Sequence, residues 1–272
     1  VMFAQVQAQK SYLSTGGRKF NDPAPFLIFL HGSGQSHLSW VLQTRFFAYE
    51  AFNVIAPDFP GHGLSEGAPL ASIEEMADWI IALMDRLDIE KAVVVGHSQG
   101  GLVALELASR YPARIDKLVL IATALAIPVN DYLVSASKDK QPAAIKMMTG
   151  WGHGSSAHFY DNTQPGFSHL GFGRALMAGN DTTSLHADLG ACNAYDGGPD
   201  AAGAIHQPCL IILAGSDKMT PIKKGRELAQ AIEGSQLVEI AGAGHMLPSE
   251  RPDEVNSALA SFLGPPASSF LT

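Results

Sequence analysis

The chain has 272 residues, 46% hydrophobic and 16% charged, a globular composition of the size of one large α/β unit. At that length about three quarters of the unfolded surface is buried on folding, so no cofactor or disulfide staple is needed to hold the core. The net charge of −8 comes without any block of Lys or Arg, which excludes the basic stripe that a nucleic-acid partner requires.

Residues 1–9 (VMFAQVQAQ) carry neither a charged n-region nor an apolar h-region. No apolar run approaches the ~20 residues that span a bilayer. These features lead to the expectation of a cytoplasmic protein with no membrane partner. Cys192 and Cys209 are far from any CxxC spacing, and both are expected to be buried free thiols.

In chain order, the apolar runs FLIFL (26–30) and NVIAP (53–57) read as strands covered on both faces. IEEMADWIIALMDRL (73–87) is an amphipathic helix, opened by a capping box of Ser72 and Glu75. AVVVG (92–96) is a third strand, followed by the small-residue helix GGLVALELASRYP (100–112) and the strand KLVLIA (117–122). The rhythm then breaks over 124–206, which is rich in Gly and His and lacks a strand-like run. It resumes with the strands CLIILAG (209–215) and QLVEIAG (236–242) and the helices GRELAQAI (225–232) and PDEVNSALASFL (252–263). GPPASSFLT is expected to be a loose tail. Strands alternating with helices predict an α/β fold, a mostly parallel central sheet flanked by helices. The expected division is a core of 1–123 and 207–272, with 124–206 a helical cap insertion.

The strongest chemical signal is Gly96-His97-Ser98-Gln99-Gly100, directly between a strand and a helix. That setting is a nucleophile elbow: a tight turn that strains the serine and tolerates only small neighbours. A serine hydroxyl needs a base to take its proton. His245, in AGAGHML, follows the last strand and precedes the final helix; Asp217, in LIILAGSDKMTP, again sits just past a strand end. Catalytic groups gather at that edge of an open α/β sheet. Ser98 is therefore the expected nucleophile, His245 the base and Asp217 the acid that orients it. Asp58, Asp188 and Asp196 are the competing acids.

The order Ser98, Asp217, His245 resembles the α/β-hydrolase superfamily, as do Leu30-His31-Gly32-Ser33-Gly34 and Asp58-Phe59-Pro60-Gly61-His62-Gly63-Leu64-Ser65. The resemblance covers nearly everything outside 124–206. It implies an oxyanion hole made by the backbone N–H groups of Ser33 and Gln99, and an architectural loop around Asp58. Ser98 rather than Asp sets the chain apart from epoxide hydrolases and haloalkane dehalogenases. Gln99 stands where haloperoxidases and several lactonases usually carry Met, and Met246 where carbon–carbon bond hydrolases often carry Trp or Phe.

The expected activity is hydrolysis of a small-molecule carboxylic ester through an acyl-enzyme, without a cofactor, in a monomer or homodimer. The alternatives are a lactonase or carbon–carbon bond hydrolase on the same triad, or a hydrolase-like ligand receptor. Trp151, Phe159 and Tyr160, with Phe167 and Phe172, are the cap aromatics expected to line a substrate pocket. His153, His158, His169 and His186 lack a metal-binding spacing, so no metal is expected.

Overall fold

The computed structural model describes residues 2–21, 23–158, 166 and 168–265. The chain runs β1 (Met2–Val6), β2 (Gln9–Ser14), β3 (Phe26–Leu30), α1 (Val41–Tyr49), β4 (Asn53–Pro57), α2 (Ile73–Arg86), β5 (Ala92–His97), α3 (Gln99–Arg110) and β6 (Ile115–Ile121). Five helices follow: α4 (Asp131–Asp139), α5 (Gln141–Gly152), α6 (His169–Ala178), α7 (Ser184–Ala194) and α8 (Gly198–Gly203). The last elements are β7 (Cys209–Ala214), α9 (Ile222–Ala231), β8 (Gln236–Ile240), α10 (Leu247–Glu250) and α11 (Pro252–Leu263).

The strands form one eight-stranded sheet in the order β1-β2-β4-β3-β5-β6-β7-β8. β1 pairs antiparallel with β2, and β2 antiparallel with β4; every other neighbour is parallel. All six strands read from the sequence are there. The hairpin β1–β2 and helix α1 are additions to that reading.

Alternation along each strand feeds two cores. Ile28, Leu30 and Val94 join α2 and α3 in one layer, whereas Leu27, Phe29, Val93 and Val95 join α1 and α11 in the other. Helix α2 begins as its sequence dictates: Ser72 Oγ accepts the Glu75 N–H, and Glu75 Oε2 accepts the Ala71 N–H.

Among the described residues, every regular element between β6 and β7 is helical. Leu133, Ile145, Met148, Met177, Leu185 and Leu189 form a third cluster there, which meets the core through Met246. Tyr195, Ala201, Ala202 and Ile205 pack instead with the main core beside α3. The helices α4 to α7 thus cover the sheet edge where β5, β7 and β8 end.

Candidate active site

Ser98 occupies the turn between β5 and α3 with φ 55° and ψ −120°. A positive φ costs a non-glycine residue about 1–3 kcal/mol, and such strain persists only where the surroundings enforce it. The enforcement is visible. A Cβ at Gly96 would strike the Gly100 carbonyl, and one at Gly100 would strike the Leu30 carbonyl, so strand and helix approach backbone to backbone. Ser98 is thereby lifted from the sheet edge at the N-terminus of α3.

His245 follows β8 and reaches across to Ser98, its Nε2 2.8 Å from Ser98 Oγ. Its Nδ1 lies 2.8 Å from Asp217 Oδ2, beyond the end of β7. With Nδ1–H donated to the carboxylate, Nε2 is free to accept the serine proton. Asp217 is held from its other side as well: Oδ1 accepts the Met219 and Thr220 N–H groups at 2.7 and 2.9 Å. Burial alone would raise this carboxyl, but the facing His245 ring and the bonds from Thr220 outweigh it and hold Asp217 below the usual carboxylate range.

Three neighbours were not singled out in the sequence. Thr220 Oγ1 lies 2.8 Å from Asp217 Oδ2 and 3.0 Å from the Ala122 carbonyl, so one hydroxyl sits between the acid and the end of β6. His97, inside the elbow motif, donates Nε2–H to the His245 carbonyl at 2.8 Å. Burial, and next the nearby His245, push the His97 ring down to about 3, so it is a neutral brace. Glu250 Oε2 accepts the Gly154 and Gly244 N–H groups, tying the loop before His245 to the end of α5. An acid three residues past a strand and a histidine before a helix are visible in sequence; braces scattered over β5, the turn after Asp217 and α10 carry no comparable spacing.

Two of the competing acids are engaged elsewhere. Asp58 is buried and accepts from the His37 and Leu64 N–H groups, an architectural role. Asp188 faces His62, not His245.

Ser33 and Ser98 line one cavity of about 200 Å³ with Val129, Leu133, Met148 and Leu189. Trp151 stands at its wall and, among the described residues, Lys218 is its one charged lining residue. Phe172 lines a different pocket, beside His153 and Met246, which separates it from the expected substrate wall. Phe159, Tyr160 and Phe167 lie outside the described residues. Of the cap histidines, His153 and His169 are neighbours with ring centroids 5.8 Å apart, while His153 bonds the Thr149 carbonyl, His158 that of Gly150, and His186 the Ser137 hydroxyl. Among the described residues no three groups gather to hold a metal ion.

An activated serine, a base bonded to it and an acid orienting the base make a serine hydrolase, equipped to cleave an ester by way of an acyl-enzyme. The chain belongs to the alpha/beta hydrolase family, whose model matches residues 27–258. It is similar to the bifunctional esterase/perhydrolase of Acinetobacter calcoaceticus, 27% identical over 257 residues that cover 88% of this chain and 92% of that protein. It is also similar to the dihydrolipoyllysine-residue acetyltransferase component of the acetoin cleaving system of Pseudomonas putida. There the identity is 28% over 246 residues, 87% of this chain, and the match spans only 63% of that longer protein. The crystal structure of the enol-lactonase from Burkholderia xenovorans LB400 superposes with a TM-score of 0.86 at 27% identity, covering 96% of this chain and 99% of that one.

Proposed function

We propose that the protein hydrolyses carboxylic esters of small molecules. The Ser98 Oγ to His245 Nε2 bond of 2.8 Å, opening on a mostly apolar cavity, carries this reading. Ser98 attacks the ester carbonyl while His245 takes its proton and Asp217 supports the imidazolium. The same histidine returns the proton to the leaving alcohol. Water, deprotonated by His245, then releases the acid from Ser98. Charge on the carbonyl oxygen is met by the backbone N–H groups of Ser33 and Gln99. In support, Ser33 lines the Ser98 cavity, and Gln99 opens α3, where the first amides of a helix have no acceptor within it.

Trp151 forms part of the acyl or alcohol wall. A monomer or homodimer in the cytoplasm belongs to the same reading. Both thiols are free and buried, which suits a reducing compartment. Among the described residues no helix is long and apolar enough to cross a membrane.

A lactone on the same triad is the second reading, favoured by the likeness to the Burkholderia enol-lactonase. A panel of p-nitrophenyl esters of increasing chain length, run beside lactones, separates the two. Labelling by a fluorophosphonate, lost in Ser98→Ala together with at least about 10³-fold of turnover, is the expected result. Steady-state esterase activity retained in Ser98→Ala would refute the assignment.

A further inference from the structure

Outside the triad, Asp188 is a carboxylate only 1% exposed in the middle of cap helix α7. Its Oδ2 accepts the Gly34 N–H at 2.7 Å and the His62 Nε2–H at 2.9 Å. Its own main-chain carbonyl accepts the Gln99 side-chain amide at 3.1 Å. Gly34 follows Ser33 directly, and Gln99 follows Ser98. One residue of the cap therefore bonds the backbone of Gly34 and the side chain of Gln99, the immediate neighbours of Ser33 and Ser98.

The rest of this cap segment reinforces the contact. One turn along α7, Cys192 Sγ lies 3.6 Å from Ser33 Oγ. Ahead of the helix, Asn180 Nδ2 donates to the Gly34 carbonyl at 2.7 Å. His62 is buried, which by itself would lower its pKa, but the Asp188 charge and hydrogen bond outweigh burial and raise it. A buried pair of this kind adds little net stability when intact. Losing one partner is costly, because the other charge is left without compensation. The pair therefore fixes geometry more than it adds stability.

We propose that Asp188 is a positioning residue that ties α7 of the cap to the loop carrying Ser33 and to Gln99, so that the cap sets the spacing of the two oxyanion donors. The proposal rests on the esterase reading above. It separates Asp188 from the triad, since His62 is its partner and His245 is already engaged by Asp217.

The test compares the parent with Asp188→Asn, on p-nitrophenyl butyrate and two inhibitors. Phenylboronic acid forms a tetrahedral adduct on Ser98 that needs the oxyanion donors; butyranilide, a slow amide, competes in the ground state. In a variant that melts like the parent, kcat/KM and the affinity for phenylboronic acid should fall together by about 10- to 100-fold. The butyranilide inhibition constant should move by less than about threefold. Unchanged kcat/KM and boronate affinity would overturn the proposal, as would a loss equally large on butyranilide. Should Asp188→Asn not fold, the same measurements on His62→Gln decide: it keeps a donor toward Asp188 but removes the imidazole ring. A parent that neither cleaves the ester nor reacts with a fluorophosphonate refutes the esterase reading itself. An active parent with an unaffected variant refutes only the role of Asp188.

Discussion

Asp217 receives hydrogen bonds from two backbone amides, the Thr220 hydroxyl and His245. Asparagine at this position can offer an N–H to the ring, favours the wrong tautomer and cannot support the imidazolium. Asp217→Asn is expected to fold and to lose about 10³- to 10⁴-fold in kcat near neutral pH. Asn variants of Asp58 and Asp196, assayed alongside with folding checked by circular dichroism, should not show a loss of that size. Thr220→Val is milder: it keeps the backbone contact to Asp217 and loses one hydroxyl bond to a charged group, for an expected drop of about tenfold in kcat.

The same carboxyl makes a prediction about acid. Its folded pKa lies below the ordinary 3.8, so the folded protein holds fewer protons there than the unfolded chain. Its contribution to stability is complete above about pH 5 and is lost as pH falls through the folded value. Melting temperatures measured from about pH 5 down to pH 3 should therefore show the gap between parent and Asp217→Asn closing. A gap that widens toward acid would contradict the assignment.

At the scale of elements, what was legible in the sequence was what burial dictates. β3, β5 and β7 are covered on both faces, and FLIFL, AVVV and CLIILA announce this without any help from their neighbours. The elbow was legible for a related reason, since backbone crossing backbone forces glycine. Gly96→Ala is expected to leave little soluble protein, because the atom its methyl would meet is the Gly100 carbonyl and cannot swing aside. Solubility and circular dichroism of that variant provide the check.

The hairpin β1–β2 was not legible. Its strands MFAQV and QKSYLS are partly exposed at the sheet edge. They are joined by Gln7 and Ala8 at φ 47° and 66°, a turn that Asn-Gly would have advertised and these residues do not. Helix α1 escaped notice because it leaves Val41, Phe46 and Tyr49 exposed while burying Gln43 and Thr44, which blurs its apolar face. The triad needed only strand ends and chain order. The contact of Asp188 with Gly34 joins residues 154 apart in the chain, and nothing local marks it.

At the scale of the whole molecule, the sheet supplies the nucleophile, base and acid, and the cap supplies most of the cavity wall. Trp151 stands at that wall yet is 40% exposed, so its removal should cost little stability. Trp151→Ala is expected to change the ratio of kcat/KM for octanoate and acetate esters by about tenfold, because a pocket wall discriminates by chain length. The melting temperature should move by no more than about 4 °C. Equal losses on both esters with a large fall in melting temperature would make Trp151 a packing residue.

The two thiols add a consequence of a different kind. Cys192, on cap helix α7, packs onto the main core but also lines the cavity against Ser33, whereas Cys209 begins β7 within that core. Burial pushes both thiols up to about 12, so neither competes with Ser98 as a nucleophile in the closed protein. Each can react only after its surroundings open, and the surroundings differ. The chain thus carries two internal clocks, one started by parting of the cap and one by rupture of the sheet. With an aromatic disulfide reagent, Cys192 should exchange faster and with weak dependence on added urea, while Cys209 should follow global unfolding. Identical rates at both sulfurs would mean that cap and sheet open as a single unit.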